Sequence, residues 1–222
     1  MLKLLRENVR DETRWQKLLQ CSENDAECTP LMTAVFFQAN LTLENVEQLV
    51  PKKVTSSFWE KKCNERVHSK TLLHLLFFQS LPNVRSRVQI FKKLIPKESW
   101  ERLIVTTDDF NQIPLMEALA RSPEINEEII SWLLPSKIDD SLWKQRTFIN
   151  RVSTDLDGMN LLHLAVQNPR IYVLGTLECL RTRIPTNVWS ELLKMKDVFD
   201  ETPLDVAKRL NQPNEVLVEL EK

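Results

Sequence analysis

Short apolar words alternate with longer amphipathic stretches along this chain, on a period of about 42 residues. Five copies of the word align without gaps: Thr29-Pro-Leu-Met-Thr-Ala-Val, Thr71-Leu-Leu-His-Leu-Leu-Phe, Ile113-Pro-Leu-Met-Glu-Ala-Leu, Asn160-Leu-Leu-His-Leu-Ala-Val and Thr202-Pro-Leu-Asp-Val-Ala-Lys. Their first residues are 42, 42, 47 and 42 apart. The third position is always leucine (Leu31, Leu73, Leu115, Leu162, Leu204), and the sixth is Ala34, Leu76, Ala118, Ala165 or Ala207. Leucine at i and a small residue at i+3 share a helix face, so the word predicts a short helix that a neighbour approaches closely. Thr29 and Thr202 offer N-cap hydroxyls, and Pro30, Pro114 and Pro203 suit a first turn that needs no N–H.

A second, longer amphipathic helix is predicted after the first four words, over 43–50, 84–95, 125–134 and 171–184. Pro51, Pro96, Pro135 and Pro185 stop these helices, because proline cannot continue one. The distance from the word's leucine to that proline runs 20, 23, 20 and 23 residues. A third segment centres on tryptophan: Trp15, Trp59, Trp100, Trp143 and Trp189 share one register, and Trp132 alone falls outside it. Strict recurrence marks these rings as core wedges between units, since a ligand-contacting ladder would vary from unit to unit. A repeat of this length is one supersecondary unit that cannot bury its apolar face alone, so stacking is implied.

Composition narrows the function. The 222 residues include only 2 glycines, so glycine-rich phosphate loops cannot be written. Thirty basic residues balance 31 acidic ones, for a net charge of −1, which gives no overall basic footprint for nucleic acid or an anionic membrane. Locally, 108–128 is acidic (Asp108, Asp109, Glu117, Glu124, Glu127, Glu128) and 52–70 leans basic (Lys52, Lys53, Lys61, Lys62, Arg66, Lys70); both runs read as solvated faces. Cys21, Cys28, Cys63 and Cys179 have no paired spacing, no signal peptide is visible at the N-terminus, and no apolar run is long enough to span a membrane. The expectation is a cytoplasmic, monomeric protein with free, mostly buried thiols.

The word Thr-Pro-Leu-His-x-Ala, with an upstream Asp-x-x-Gly and a following helix, resembles the ankyrin repeat. Asp155-Leu-Asp-Gly158-Met-Asn-Leu-Leu-His163-Leu-Ala165 is the clearest copy, and Phe199-Asp-Glu-Thr202-Pro-Leu-Asp-Val-Ala207 the next. The resemblance runs over nearly the whole chain from Cys28 on. It implies an all-α, ankyrin-like solenoid of about five units in a single domain, 1–222, with units starting near 29, 71, 113, 160 and 202 and residues 1–28 as an N-terminal cap. The family's repeat is shorter, and the extra residues here fall in the Pro…Trp segment. Most turn glycines of the family are missing, so its β-hairpin fingers are expected to be shortened or replaced by extra helix. Long, glycine-poor units also resemble those in effectors of intracellular bacterial pathogens, which would place the protein in a host cell's cytosol.

The chemistry-bearing residues are few. His74 and His163 sit at the word's fourth position, where the resemblance implies a hydrogen bond within the turn between units. His68 lies in a charged loop and reads as exposed. Cys63, His68 and His74 lack the paired spacing of a zinc site. Cys28 stands at a helix start but has no histidine in its unit to act as base, and it reads with Cys21 and Cys179 as a packed thiol. Glu215, Glu219 and Glu221 supply a polar outer face to the last helix. No catalytic, cofactor-binding or metal-binding residue is assigned. The expected function is non-catalytic binding of another protein through the concave face and inter-unit loops, not of nucleic acid or membrane. Candidate contact residues are Phe37 and Phe78 from the doublets Phe36-Phe37 and Phe77-Phe78, and Arg146, Phe148, Arg151 and Asp155 from the longer 143–160 linker. Two alternatives stay open: an effector with a cryptic enzymatic pocket near Cys63, His68 and Arg66 or within 146–157, and a nucleic-acid-binding array. The latter requires the 52–70 basics to join Arg85, Arg87, Lys92 and Lys93 in one stripe.

Overall fold

The structure, a computed structural model, describes residues 9, 11–21, 27–38, 40–64, 68–78, 82–135, 139–147, 158–167 and 172–222. Among these lie fifteen α-helices and no strand, with one isolated antiparallel bridge between Lys62 and Thr71. Helix α1 (Glu12–Gln20) leads into the first unit, α2 (Pro30–Phe37), α3 (Leu43–Leu49) and α4 (Ser56–Trp59). The second unit is α5 (Leu72–Phe78), α6 (Val84–Leu94) and α7 (Lys97–Leu103); the third is α8 (Pro114–Arg121), α9 (Glu127–Leu133) and α10 (Asp140–Trp143). The fourth is α11 (Leu161–Val166), α12 (Val173–Arg181) and α13 (Thr186–Lys194), and the fifth is α14 (Pro203–Arg209) and α15 (Asn214–Glu221).

The word helices form the spine. α2, α5, α8, α11 and α14 pack one on the next in a single row, with α9, α12 and α15 packed successively behind them. Two starts are capped as the sequence predicts and a third by Asn160, while Ile113 gives no side-chain cap. Thr29 Oγ1 accepts from Met32 N–H at 3.3 Å, Thr202 and Asp205 form a reciprocal capping box, and Asn160 Oδ1 accepts from the Leu162 and His163 amides. Neighbours cover both flanks of each middle spine helix, so all of α11 and all of α5 except Phe78 are buried. Trp15, Trp59, Trp100, Trp143 and Trp189 are each 8% exposed or less, which makes them core; Trp132 is half-buried.

The alternation in spacing has a structural counterpart. In the second and fourth units the tryptophan helices are long, α7 with 7 residues and α13 with 9; α4 and α10 have 4 each. The turns that follow compensate in the opposite sense. Each begins with an N–H that donates to the carbonyl just before the next word: Cys63 to Lys70, Asp108 to Gln112, Thr147 to Met159 and Asp197 to Glu201, at 2.9–3.0 Å. The fingers after long tryptophan helices are therefore four residues from donor to acceptor, and those after short ones are seven and twelve. Helix is exchanged for loop, and a period near 42 residues is kept.

Two of the four fingers are short, following the longer tryptophan helices, and their turns form without glycine. Asn111 (φ 58°) and Asp200 (φ 63°) take the left-handed conformation in the short fingers, which asparagine and aspartate tolerate better than other non-glycine residues. Asp108 Oδ1 accepts from the Phe110 and Gln112 amides, and Asp197 Oδ1 from those of Phe199 and Glu201, so one carboxylate shapes each turn. Gly158 (φ 73°) keeps the glycine solution.

Four expectations are revised. Cys28 and Cys63 are not free thiols: their Cα atoms are 4.8 Å apart and they form a disulfide, while Cys21 and Cys179 are free. Their 35-residue separation spans a whole unit, so only stacking brings them together. His68 is half-buried, its ring centroid 4.4 Å from that of Phe110. Glu219 is not part of a solvated cap but is 6% exposed and accepts from Arg181 and Lys222 at 2.6 and 2.9 Å. The two charged runs are not simply solvated faces either, because Lys70, Asp108 and Glu117 are buried against one another.

His74 and His163 link units as expected. His74 Nε2 donates to Gln112 O at 2.8 Å and Nδ1 accepts from Thr71 N–H at 3.3 Å; His163 repeats this with Glu201 O at 2.9 Å and Asn160 N–H at 3.3 Å. The carbonyl can only accept, so Nε2 carries a proton in both rings; at His74 the Thr71 N–H needs Nδ1 as acceptor, which makes that ring neutral. Burial lowers the His74 pKa to about 4 and also lowers that of His163.

Two outcomes follow from this packing. Trp100→Ala removes a 6% exposed ring whose Nε1 donates to Trp132 O at 3.0 Å, and is expected to cost about 3–5 kcal/mol in urea denaturation. For His74 the folded pKa lies below the unfolded one, so the unfolded chain takes up the proton first as pH falls. Stability is then full above about pH 6.5 and declines toward pH 4, by up to about 3 kcal/mol from this group. Denaturation midpoints between pH 7 and 4 should show that slope, and His74→Gln should flatten it.

Candidate protein-binding face

Because the flanks of the spine helices are covered by neighbours and their N-terminal ends by the fingers, exposure concentrates at their C-terminal ends. The eighth position counted from each word's first residue falls there: Phe36, Phe78, Ala120, Gln167 and Arg209. The first four are half-buried and Arg209 is exposed. Phe36 and Phe78 stack with centroids 5.5 Å apart and planes 26° apart. Phe37, one residue on, packs edge-on to Phe36 at 4.7 Å and remains 70% exposed, the largest exposure among the described large apolar side chains. The guanidinium of Arg121 lies 4.9 Å from the Phe78 ring centroid. The edge thus runs from aromatic in the first two units to polar in the last two.

A buried ion cluster supports the aromatic end. Lys70 Nζ donates to Asp108 Oδ2 at 2.6 Å and Glu117 Oε2 at 2.8 Å, and all three side chains have no exposure. The same ammonium is 4.8 Å from the Phe78 ring centroid, so the ring lies close to both Lys70 and Arg121. Arg121 Nε comes within 2.7 Å of Glu117 Oε1, an ion pair off the line a hydrogen bond needs. Beneath the first two units, Arg87 is 1% exposed and donates through Nη2 to Val35 O at 2.5 Å; burial lowers its pKa to about 10. In the fifth unit Asp197 matches Asp108, but Met159 stands where Lys70 would be, and Asp197 Oδ2 has no partner.

At the polar end, Gln167, Phe199, Glu201, Arg209 and Leu210 line a cleft of about 530 Å³. Arg209 Nε donates to both Glu201 carboxylate oxygens at 2.9–3.0 Å, and the Phe199 ring at the finger tip is 52% exposed. A second cleft of about 670 Å³ runs past Val105, Asn111, Gln145 and Arg146.

Of the candidate contact residues, Phe37 and Phe78 meet in the aromatic cluster. Arg146 does not join them. Its Nε donates to Gly158 O at 2.8 Å and its Nη2 to Lys196 O, so it ties the long fourth-unit finger to the fifth. Phe148, Arg151 and Asp155 lie outside the described residues. Phe36 and Arg121 were missed, although the eighth-position register shows Phe36 in the sequence; that Arg121 sits on Phe78 needs the fold. The recurring Asp-x-Phe-[Asn/Asp]-[Gln/Glu] of 108–112 and 197–201 was equally legible as a turn signature.

The geometry also bears on the alternatives. While Cys63 is bonded to Cys28, it can be neither a nucleophile nor a metal ligand beside His68 and His74. Burial raises the Cys179 thiol pKa, the reverse of what activation requires. No group of three or more metal-ligating side chains converges among the described residues. Of the basic stripe, Lys70 and Arg87 are buried, Lys52 pairs with Glu12, Arg85 pairs with Glu128, and Arg66 lies outside the described residues. No described helix is long and apolar enough to cross a membrane.

Among solved structures, the ankyrin repeat domain of Bcl-3, described as a unique member of the IkappaB protein family, superposes with a TM-score of 0.52 over 97% of this chain and 79% of that one, at 13% identity. The fold is an ankyrin-type helical array. No protein-family model and no curated protein matches the sequence. The likeness therefore lies in the backbone, and the site has to be argued from this chain's own side chains.

The ion cluster yields a clear stability test. Lys70→Met strands two buried carboxylates and should cost about 3–5 kcal/mol in denaturant unfolding. The triple variant Lys70→Met, Asp108→Asn, Glu117→Met removes the stranded charges and keeps the turn acceptor, so it should recover most of that loss.

Proposed function

We propose that this chain is a non-catalytic protein-binding module that docks its partner along the C-terminal ends of the spine helices and the adjoining fingers. The supporting observation is Phe37, a rigid aromatic ring left 70% exposed beside the stacked Phe36–Phe78 pair, in a row whose spine helices bury almost all their other large apolar side chains. Aromatic side chains present large area at low entropic cost and are over-represented among residues that dominate binding energy. Phe37 and Phe78 are the anchors of this reading. Arg121 and Arg209 at the same edge set orientation and encounter rate. Arg146 acts by holding the longest finger in place, and its removal would affect binding only indirectly.

The test is capture with the tagged chain, followed by interferometry with the recovered partner. Phe37→Ser should weaken binding about tenfold, the scale of an anchor residue, while the melting temperature stays within about 1–2 °C of wild type, as for other surface changes. A partner held equally well by Phe37→Ser would remove this edge as the docking surface.

A further inference from the structure

We propose that the Cys28–Cys63 disulfide is a redox latch on the first unit, and that its reduction loosens α2 and with it the aromatic edge. This rests on the docking reading only for its consequence; the latch stands on geometry of its own. Cys28 directly precedes Thr29, the N-cap of α2. Cys63 opens the finger that leads to the second unit, donating its N–H to Lys70 O at 2.9 Å beside the Lys62–Thr71 bridge. The bond therefore clamps the N-terminal end of one spine helix to the finger that positions the next. It also fixes the residue neighbouring the buried ammonium of Lys70.

At its other end α2 is held by its packing on α5, by the Phe36–Phe78 stack and by the Arg87 bond to Val35 O. Its far flank is covered by α1, of which only Trp15 and Leu19 are buried. The middle spine helices instead have a spine helix on each flank. Local opening is easiest where buried apolar contact is thinnest, and a cross-link over a 35-residue separation restricts such opening most strongly at the clamped end.

The chemistry balances with a dithiol reductant. One thiolate attacks the Cys28 sulfur, the more exposed of the pair at 8% against 3%. A bond forms between the two sulfurs, the Cys28–Cys63 bond breaks, and Cys63 leaves as a thiolate that takes up a proton. The second thiol of the reductant then displaces Cys28, which is also protonated, and the reductant departs as its disulfide. Two electrons and two protons pass from reductant to protein. A dithiol or disulfide couple in the surroundings would set the state of the latch, and through it the stiffness of the Phe36–Phe37–Phe78 edge.

The experiment uses the full chain with dithiothreitol as the probe and needs no partner, so failure of the latch and failure of the docking edge are read separately. After treatment with oxidised dithiothreitol, whose mixed disulfides re-close on themselves, alkylation in denaturant should modify two cysteines, Cys21 and Cys179, and four after reduction. Amide exchange over 29–38 should rise at least tenfold on reduction, with 84–135 and 172–222 unchanged. The Cys28→Ser/Cys63→Ser variant should exchange like the reduced chain and ignore dithiothreitol. Should that variant not fold, the wild-type comparison decides alone. Four alkylated cysteines after oxidation, equal exchange over 29–38 in both states, or acceleration across the whole array would each overturn the latch.

Discussion

One carbonyl oxygen at the start of a unit carries the register of this array. Gln112 O accepts from Asp108 N–H, closing its own finger, and from His74 Nε2 of the preceding unit; Glu201 O does the same for Asp197 and His163. Both acceptor directions of a single oxygen are used, one within a unit and one between units. Sliding one unit against the next would strand a buried imidazole and open a finger together, and each unsatisfied buried group costs on the order of 1–3 kcal/mol. The arrangement requires a proton on Nε2, and burial favours the neutral ring that carries it there. It joins the second unit to the third and the fourth to the fifth, the same pairing that shows in the alternating helix and finger lengths.

The two junctions share this skeleton and differ in their charge. At the first, Lys70 joins Asp108 and Glu117 with no solvent contact. At the second, Met159 and Val206 occupy the corresponding places, and Asp197 keeps only its turn-shaping bonds. A buried ion cluster adds little net stability over apolar packing, but breaking it is costly. Its presence under the aromatic edge and absence under the polar edge makes the first junction the less tolerant of rearrangement. Phe78 leans on that cluster, so the aromatic edge has a rigid floor.

Local rules made the spine legible in the sequence. The leucine-to-alanine spacing, the Thr29 and Thr202 caps and the recurring tryptophans each need only neighbours in the chain to be interpreted, and the helices and core rings are where they point. What was not legible depends on pairs 35 or more residues apart. Lys70 reads as one more cation in a basic run until the fold sets it 38 and 47 residues away against Asp108 and Glu117. The disulfide partners have no spacing signature, and Glu219 reads as solvated until Arg181 reaches it. The turn geometry of the fingers was hidden for a different reason: in the absence of glycine it rests on Asn111 and Asp200, which supply the same φ. Phe37 could be singled out as a doublet, but not told from Phe36, because which of two adjacent rings faces a neighbour is decided by stacking.

That stacking also explains where specificity can reside. A spine helix of six to eight residues with neighbours on both flanks and a finger at its N-terminal end has little surface left to vary without breaking the core. The third word position shows this limit, with leucine in all five units. The eighth position shows the reverse, reading Phe, Phe, Ala, Gln and Arg along the row. A residue at the C-terminal end of a spine helix is only partly covered, by row neighbours and by finger residues such as Lys70 and Glu201, so its chemistry can change at less cost than that of a fully buried one. On the described spine helices, the end that packing covers least is therefore the one where the side chains run from Phe to Arg, and a partner docking as proposed would meet them there.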